Sequence, residues 1–274
     1  MPSDTPITGP ANKWLPPLQP RPHARLRLFC FPYAGGSAAA YSGWPDYLSP
    51  AIDVRPLQLP GRWNRLKEPA LTRFDDMLKA LAVVLPPHLD RPFAFFGHSM
   101  GALLAFEMTR YLRRHGLPQP LHLFVSGRRA PQFPDHDLPR PDLPDPEFIE
   151  CLRELNGTPA EVLDNPELMT LLLPTLRADF DVCRSYAFVP GPPLACPLTV
   201  LGGVEDKESA EGYLEGWRLH TSGRWAQSMF PGDHFFLHSA MAPLLGVLST
   251  TMHDLLVRLS SSHHGAAARA ERQP

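Results

Sequence analysis

Short apolar runs alternate with helix-period segments along most of the chain. Arg25–Phe31 (RLRLFCF) alternates and then turns wholly apolar, as a strand entering a buried sheet does. Val54–Leu59 (VRPLQL) predicts a weaker strand, and its Pro56 argues for an edge or a bulge. Pro92–Phe96 (PFAFF) is apolar throughout and predicts a central parallel strand covered on both faces. A helix is predicted over Ala102–His115, with Arg113, Arg114 and His115 at the negative end of its macrodipole and Gly116 as its stop. Leu121–Ser126, Leu198–Leu201 and Trp225–Phe230 predict further strands, and Ala240–Leu259 a terminal helix. This alternation is the signature of βα units on a mostly parallel sheet, an α/β fold.

One stretch breaks the rhythm. From Ala130 to Pro197 no strand is predicted. Prolines crowd its start, and helix starts follow at Asp145-Pro146, Thr158-Pro159 and Asn165-Pro166, each a cap residue before a first-turn proline. Pro174 should kink or divide the last of these helices. The stretch reads as a helical lid inserted between two sheet strands, over whatever site lies at that sheet edge. Residues 1–24 read as an extended proline-rich arm and residues 260–274 as a loose tail.

Composition narrows the classes. The 274 residues suffice for one large α/β domain or two small ones. With 26 basic and 28 acidic residues the formal net charge is -2, which argues against a general nucleic-acid coat. No apolar run approaches the ~18 residues of a membrane span, and the N-terminal stretch has no continuous apolar segment of the secretory type. The four cysteines, Cys30, Cys151, Cys183 and Cys196, form no C-x-x-C pair. They read as free thiols of a reducing cytoplasm, neither a disulfide framework nor a zinc site.

Gly97-His98-Ser99-Met100-Gly101 matches G-x-S-x-G between a buried strand and a helix, the setting of a nucleophile elbow. A serine hydroxyl needs a base, and the base an orienting acid. His234, in Pro231-Gly232-Asp233-His234 after a strand, is the candidate base. His98 should point away from Ser99 and pack or hydrogen-bond; His238, His263 and His264 are poorer bases by position. Glu205 and Asp206, after another strand, are adjacent rivals for the acid, while Asp233 adjoins His234 too closely to reach back comfortably. Two backbone N–H donors must meet the oxyanion. Met100, after the nucleophile, is one candidate, and Ala34, in the Phe31–Gly36 loop after the first strand, is the other. A phosphate-binding reading of that Gly-Gly loop is weak, because neither G-x-G-x-x-G nor G-K-[ST] occurs.

Taken in order, FPYAGGSA, LQLPGR (Leu57–Arg62), FFGHSMGALLAFE, FVSGRRAP (Phe124–Pro131), LPTLRADF (Leu173–Phe180), LGGVED and PGDHFFL resemble the type II thioesterases that accompany modular polyketide synthases and non-ribosomal peptide synthetases. The resemblance covers roughly residues 25–259. It implies an α/β-hydrolase with a helical lid, hydrolysing acyl thioesters from the phosphopantetheine arm of carrier proteins, with no metal or redox cofactor. Its G-x-x-D pattern implies Asp206 as the acid, with Ser99 as nucleophile and His234 as base. Two departures stand out: Gly-Asp-His where Gly-Gly-His is common, and Lys207-Glu208 where proline is frequent, which bears on the turn after Asp206.

The rivals are an acyltransferase using the same G-H-S-x-G, a generic esterase of the same fold, and a catalytically silent binding protein. The late acid and histidine disfavour the first, the LPGR and SGRRAP pieces the second, and the intact set the third. Phe148, Leu172 and Phe180 could line an acyl channel or simply pack the lid. The partners implied are acyl or peptidyl carrier domains, typically acidic. Arg128 and Arg129, with Arg62 and Arg65, are therefore candidates for a basic docking patch, the alternative being that all four are solvated or paired with nearby carboxylates.

Overall fold

The computed structural model describes residues 13–19, 21–135, 138–156, 158, 160–210 and 212–270, with backbone alone over 262–270. Six strands form one sheet, in the order β2-β1-β3-β4-β5-β6. They are β1 (Leu26–Phe31), β2 (Ile52–Pro56), β3 (Phe93–His98), β4 (Leu123–Ser126), β5 (Leu198–Gly203) and β6 (Trp225–Phe230). Every pairing is parallel. The second strand lies two residues nearer the N-terminus than its sequence pattern suggests. Pro56 ends it at the sheet edge, where a missing N–H breaks no central ladder.

The helices are α1 (Phe74–Val84), α2 (Met100–Arg114), α3 (Asp145–Glu154), α4 (Ala160–Leu163), α5 (Pro166–Arg184), α6 (Phe236–Ser239) and α7 (Met241–Ala270). Period-2 alternation in β3 divides the core. Phe93 and Phe95 meet Phe29 and Phe31 edge-to-face, under α1 and α2. Ala94 and Phe96 face the other way, where Tyr41 and Trp44 stand edge-on to Phe96 and α7 closes the layer. This helix–sheet–helix sandwich explains why β3 reads as apolar without interruption.

The chain winds to one side from β1 to β2, then crosses back to β3 on the far side of β1. That reversal makes the carboxyl ends of β1 and β3 the topological switch point, where open α/β sheets leave a crevice.

The described residues of 130–197 contain no named strand, as the sequence predicts; Leu194 makes a single bridge to Thr221. The helices α3, α4 and α5 have a small core of their own, centred on Phe148, Leu152, Met169, Leu176 and Phe180. Asn165 caps α5, its side chain accepting from the N–H groups of Glu167 and Leu168. Pro174 does not divide α5, which runs unbroken through it. The ring itself is exposed, and the burial of Leu173, Thr175 and Leu176 beside it outweighs the one backbone hydrogen bond that it removes.

Three further expectations change. Helix α1 has no counterpart in the sequence pattern as read above. The part of the 1–24 arm that is described lies against the domain: Leu15 is buried, and Arg21 donates to the carbonyls of Pro45, Leu48, Ser49 and Ile52. The terminal helix continues to Ala270, through most of the stretch expected as a loose tail; residues 1–12 and 271–274 lie outside the described residues. Among the described residues no helix is long and apolar enough to cross a membrane.

Two measurements test this architecture. His122, hydrogen-bonded to the Thr199 hydroxyl at 2.8 Å, is pushed down by burial to about 4, and His220, at 2.6 Å from Gln132 Oε1, likewise to about 4. The unfolded chain takes up these protons below about 6.5, the folded one only near 4. Their stabilising contribution is therefore complete above pH 6.5 and is lost as pH falls from there towards 4, by up to ~3 kcal/mol each. The urea midpoint should fall through that window, and less steeply in His122→Gln; an unchanged slope in the variant excludes His122 as a source. Separately, the lid core is small and distinct from the sheet core, so amides of residues 145–184 should exchange faster than those of β3. Phe148→Ala should accelerate exchange in the lid alone.

Candidate active site

Ser99 sits on the turn between β3 and α2 with φ +54 and ψ −116, a conformation rarely open to a residue with a side chain. Two close approaches force it. A Cβ on Gly97 would lie 2.1 Å from the Gly101 carbonyl oxygen, and a Cβ on Gly101 would lie 2.1 Å from that of Phe31. Only glycine at both positions lets the helix start this close to the ends of β1 and β3. The Ser99 N–H is fixed by the Ser126 carbonyl at 2.8 Å.

His234 and Asp206 come from the loops after β6 and β5. His234 Nδ1 donates to Asp206 Oδ2 at 3.0 Å, which leaves Nε2 without its proton and fit to act as a base. Asp206 is 8% exposed, and its Oδ1 accepts from the N–H of Glu208, capping a short 3₁₀ turn. Glu205 is exposed, and its N–H is bound by the Gly232 carbonyl. The geometry thus separates two residues that sequence alone leaves as neighbours. The Lys207-Glu208 departure forms this 3₁₀ turn without proline.

Asp233 does not reach the imidazole. Its Oδ1 accepts from the Phe235 N–H at 2.8 Å and its Oδ2 from the Asn156 amide at 2.5 Å, so the extra carboxylate of Gly-Asp-His ties the end of lid helix α3 to the base loop. His98 points away from Ser99 as expected: its Nδ1 lies 2.9 Å from the Ser126 hydroxyl, and full burial, with His234 next in effect, pushes its pKa well below the usual range. It stands behind the base as a neutral ring, 5.1 Å between centroids.

The Met100 N–H belongs to the first turn of α2, one of the donors that a helix leaves without an intrahelical acceptor. Ala34 lies on the loop after β1. Both Ala34 and Ser99 line a cavity of about 750 Å³, together with His234, Asp206 and lid residues such as Leu143 and Phe180. Phe180 therefore both lines the cavity and packs the lid core; Phe148 is wholly inside that core, and Leu172 packs against it. Tyr33 completes the wall, its hydroxyl 2.9 Å from His238 Nε2.

The expectation of a basic docking patch is corrected. A steering patch needs charge in solvent, and all four arginines are buried and paired. Arg128 bonds Asp135 at 2.7 Å. Arg129 Nε and its backbone N–H both donate to Glu208 at 3.0 Å, bracing the turn that carries Asp206. Arg62 grips Asp179 through two hydrogen bonds of 2.6 Å. Arg65 binds Glu68 and the Gln58 carbonyl beneath the Trp14 ring. Asp179, Tyr33 and Asn156 are residues of the site that the sequence pattern does not single out, although Asp179 and Tyr33 lie inside the motifs quoted above, and Glu208, noted there only as a departure, proves to anchor Arg129.

Comparison with known proteins adds an independent line. The thioesterase domain family model matches residues 26–253. A protein named linear gramicidin dehydrogenase LgrE, from Brevibacillus parabrevis, is 47% identical over 249 residues, covering 90% of this chain and 95% of that one. Among solved structures, the thioesterase RedJ from the prodiginine biosynthetic pathway of Streptomyces coelicolor aligns with a TM-score of 0.78 at 40% identity, over 84% of this chain and 87% of that one. The type II thioesterase BorB from the borrelidin biosynthetic cluster aligns with a TM-score of 0.78 at 36% identity, over 86% and 96%.

The two acid candidates separate in a direct test. Asp206→Asn should lower kcat by about 10⁴, the effect of an amide that favours the wrong tautomer of the base. Glu205→Gln, at an exposed position, should leave it within about twofold. Steady-state kinetics on one thioester decide; a larger loss in Glu205→Gln overturns the assignment.

Proposed function

Because the chain belongs to the thioesterase family, of which it carries the α/β-hydrolase fold, we propose that it is a stand-alone type II thioesterase that clears acyl groups from the phosphopantetheine arms of carrier domains. The pathway is polyketide or non-ribosomal peptide assembly, and the groups removed are aberrant or stalled. The observation that carries this reading is the Asp206–His234 hydrogen bond at a cavity shared with a strained Ser99.

The chemistry follows from those atoms. His234 Nε2 accepts the Ser99 proton as Oγ attacks the thioester carbonyl carbon. The negative charge passes to the carbonyl oxygen, which the N–H groups of Ala34 and Met100 receive, with the positive end of α2 behind them. The C–S bond breaks, His234 returns the proton to the departing pantetheine sulfur, and an acyl-serine remains. Water enters, gives its proton to His234 and attacks the acyl carbon; the acid leaves and Ser99 recovers its proton. Asp206 holds the imidazole tautomer throughout and stabilises the imidazolium. Side chains, backbone and the hydrolytic water account for every proton and charge in this sequence, so it calls on no metal or redox cofactor.

The redox activity in the name of LgrE is not carried to this chain. No G-x-G-x-x-G occurs here, and the glycine loop after β1 is engaged by Asp179 and Arg62. Acyl transfer and general esterase activity are likewise less favoured, since the relatives named as thioesterases span nearly the whole domain.

Incubating the protein with acyl-loaded carrier domains and following deacylation by intact mass tests the proposal. Free acid should accumulate with the carrier returned to its thiol form, faster than from the same acyl group on a small thiol. Ser99→Ala should lose on the order of 10⁶ in kcat while keeping its fold. Acyl transfer to a second carrier without acid release, or near-normal turnover by Ser99→Ala, overturns it.

A further inference from the structure

Lid helix α5 turns one face towards two loops of the hydrolase body. Asp179 stands three residues after Leu176 and four after Thr175, one turn along the same face. The Thr175 hydroxyl donates to the Gly61 carbonyl. Leu176 Cδ2 lies 2.5 Å from where a Cβ on Gly35 would sit, so the helix touches the loop after β1 directly. Asp179 is wholly buried between them. Its Oδ2 accepts from the Gly35 N–H at 2.7 Å and from Arg62 Nη1 at 2.6 Å, and its Oδ1 accepts from Arg62 Nη2 at 2.6 Å. Arg62 Nη1 donates also to the Gly36 carbonyl at 2.9 Å.

We propose that Asp179 and Arg62 are positioning residues for the oxyanion hole, and that the hole is assembled only while helix α5 is seated. The inference rests on the reading of Ser99 as nucleophile and Ala34 as oxyanion donor. Gly35 is at φ +77, and two consecutive glycines give the loop no preferred conformation of its own. The carboxylate and the guanidinium hold it from both sides, through the Gly35 N–H and the Gly36 carbonyl. Fixing the Gly35 N–H orients the peptide that joins it to Ala34, and so limits where the Ala34 N–H points. Half of this clamp is on the lid. A lid that lifts to admit a tethered acyl group takes Asp179 with it and releases the loop; a lid that settles restores the donor. Arg62 also neutralises a carboxylate that would otherwise stand unpaired near the developing oxyanion.

A double variant separates positioning from mere support of the fold. Removing one member alone strands a buried charge, whereas replacing both by apolar side chains is often tolerated. Asp179→Ala with Arg62→Met should fold with a melting temperature near that of the natural protein. It should lose on the order of 10² in kcat, the effect of one oxyanion donor, with KM changed by no more than about threefold. Affinity for an alkyl boronic acid, a mimic of the tetrahedral adduct, should fall in parallel with kcat. Arg62→Lys, which keeps the charge and loses the fork, should show a smaller loss in the same direction at unchanged melting temperature. In the natural protein the boronic acid should slow hydrogen exchange over Pro166–Arg184, and in the double variant it should not. Wild-type kcat in the double variant or in Arg62→Lys, a loss confined to KM, or no boronic-acid effect on α5 exchange overturns the proposal. Kinetics are read on p-nitrophenyl acetate as well as on a thioester, so failure of the natural protein on thioesters alone would count against the thioesterase reading and leave this test intact.

Discussion

The Phe31 carbonyl oxygen stands where a side chain on Gly101 would have to be, and the Gly101 carbonyl oxygen stands where one on Gly97 would be. The catalytic end of the molecule depends on this double contact. It brings the ends of β1 and β3 and the start of α2 together at van der Waals limits and bends the backbone at Ser99 to φ +54. A methyl group on Gly101 would separate the elbow from the end of β1, and one on Gly97 would push the start of α2 off β3. The remaining parts of the site are brought to this fixed point by loops after β5 and β6, both at the same sheet edge.

Around the elbow, charge is used as internal bracing. Arg62 with Asp179 holds the β1 loop, and Arg129 with Glu208 holds the turn of Asp206. Buried pairs of this kind add little net stability over apolar packing, yet removing one partner costs about 3–5 kcal/mol. Their contribution here is directional: a guanidinium fork specifies the place of a carboxylate far more narrowly than a leucine specifies its neighbour. The same pairing explains why the arginines offer no docking surface.

The lid meets the hydrolase body along α5 and the segments flanking it, and two of its polar contacts are placed beside His234 and Ala34. Asn156 reaches Asp233, one residue before His234, and Asp179 reaches Gly35, one residue after Ala34. Between those points the lid helices keep their own core around Phe148. The placement of the lid helices therefore bears on both the loop that carries His234 and the loop after β1.

Much of this was legible in the chain alone. Apolar runs determined β1, β3, β4 and β5, because a strand covered on both faces admits few polar side chains, while β6, a partly exposed edge strand, was legible from its place in the alternation. G-H-S-M-G between a strand and a helix determined the elbow, because only glycines allow that turn. The cap-proline pairs announced the lid helices, because first-turn proline loses no hydrogen bond. Tertiary structure alone decided the rest, wherever the outcome depended on a partner distant in sequence. Asp206 and not Glu205 faces His234, since consecutive residues point apart and only the approach of the β6 loop says which side is inside. Pro174 stays within a continuous α5 because its neighbours are packed. Arg62 and Arg129 are buried, although charge in a loop ordinarily means solvent, because each meets a carboxylate far along the chain, Asp179 and Glu208; Arg65 and Arg128 are buried with the nearer Glu68 and Asp135. The coupling of the lid to the oxyanion loop joins Gly35 to Asp179 across 144 positions of chain, a separation at which periodicity and local motif carry no information about contact.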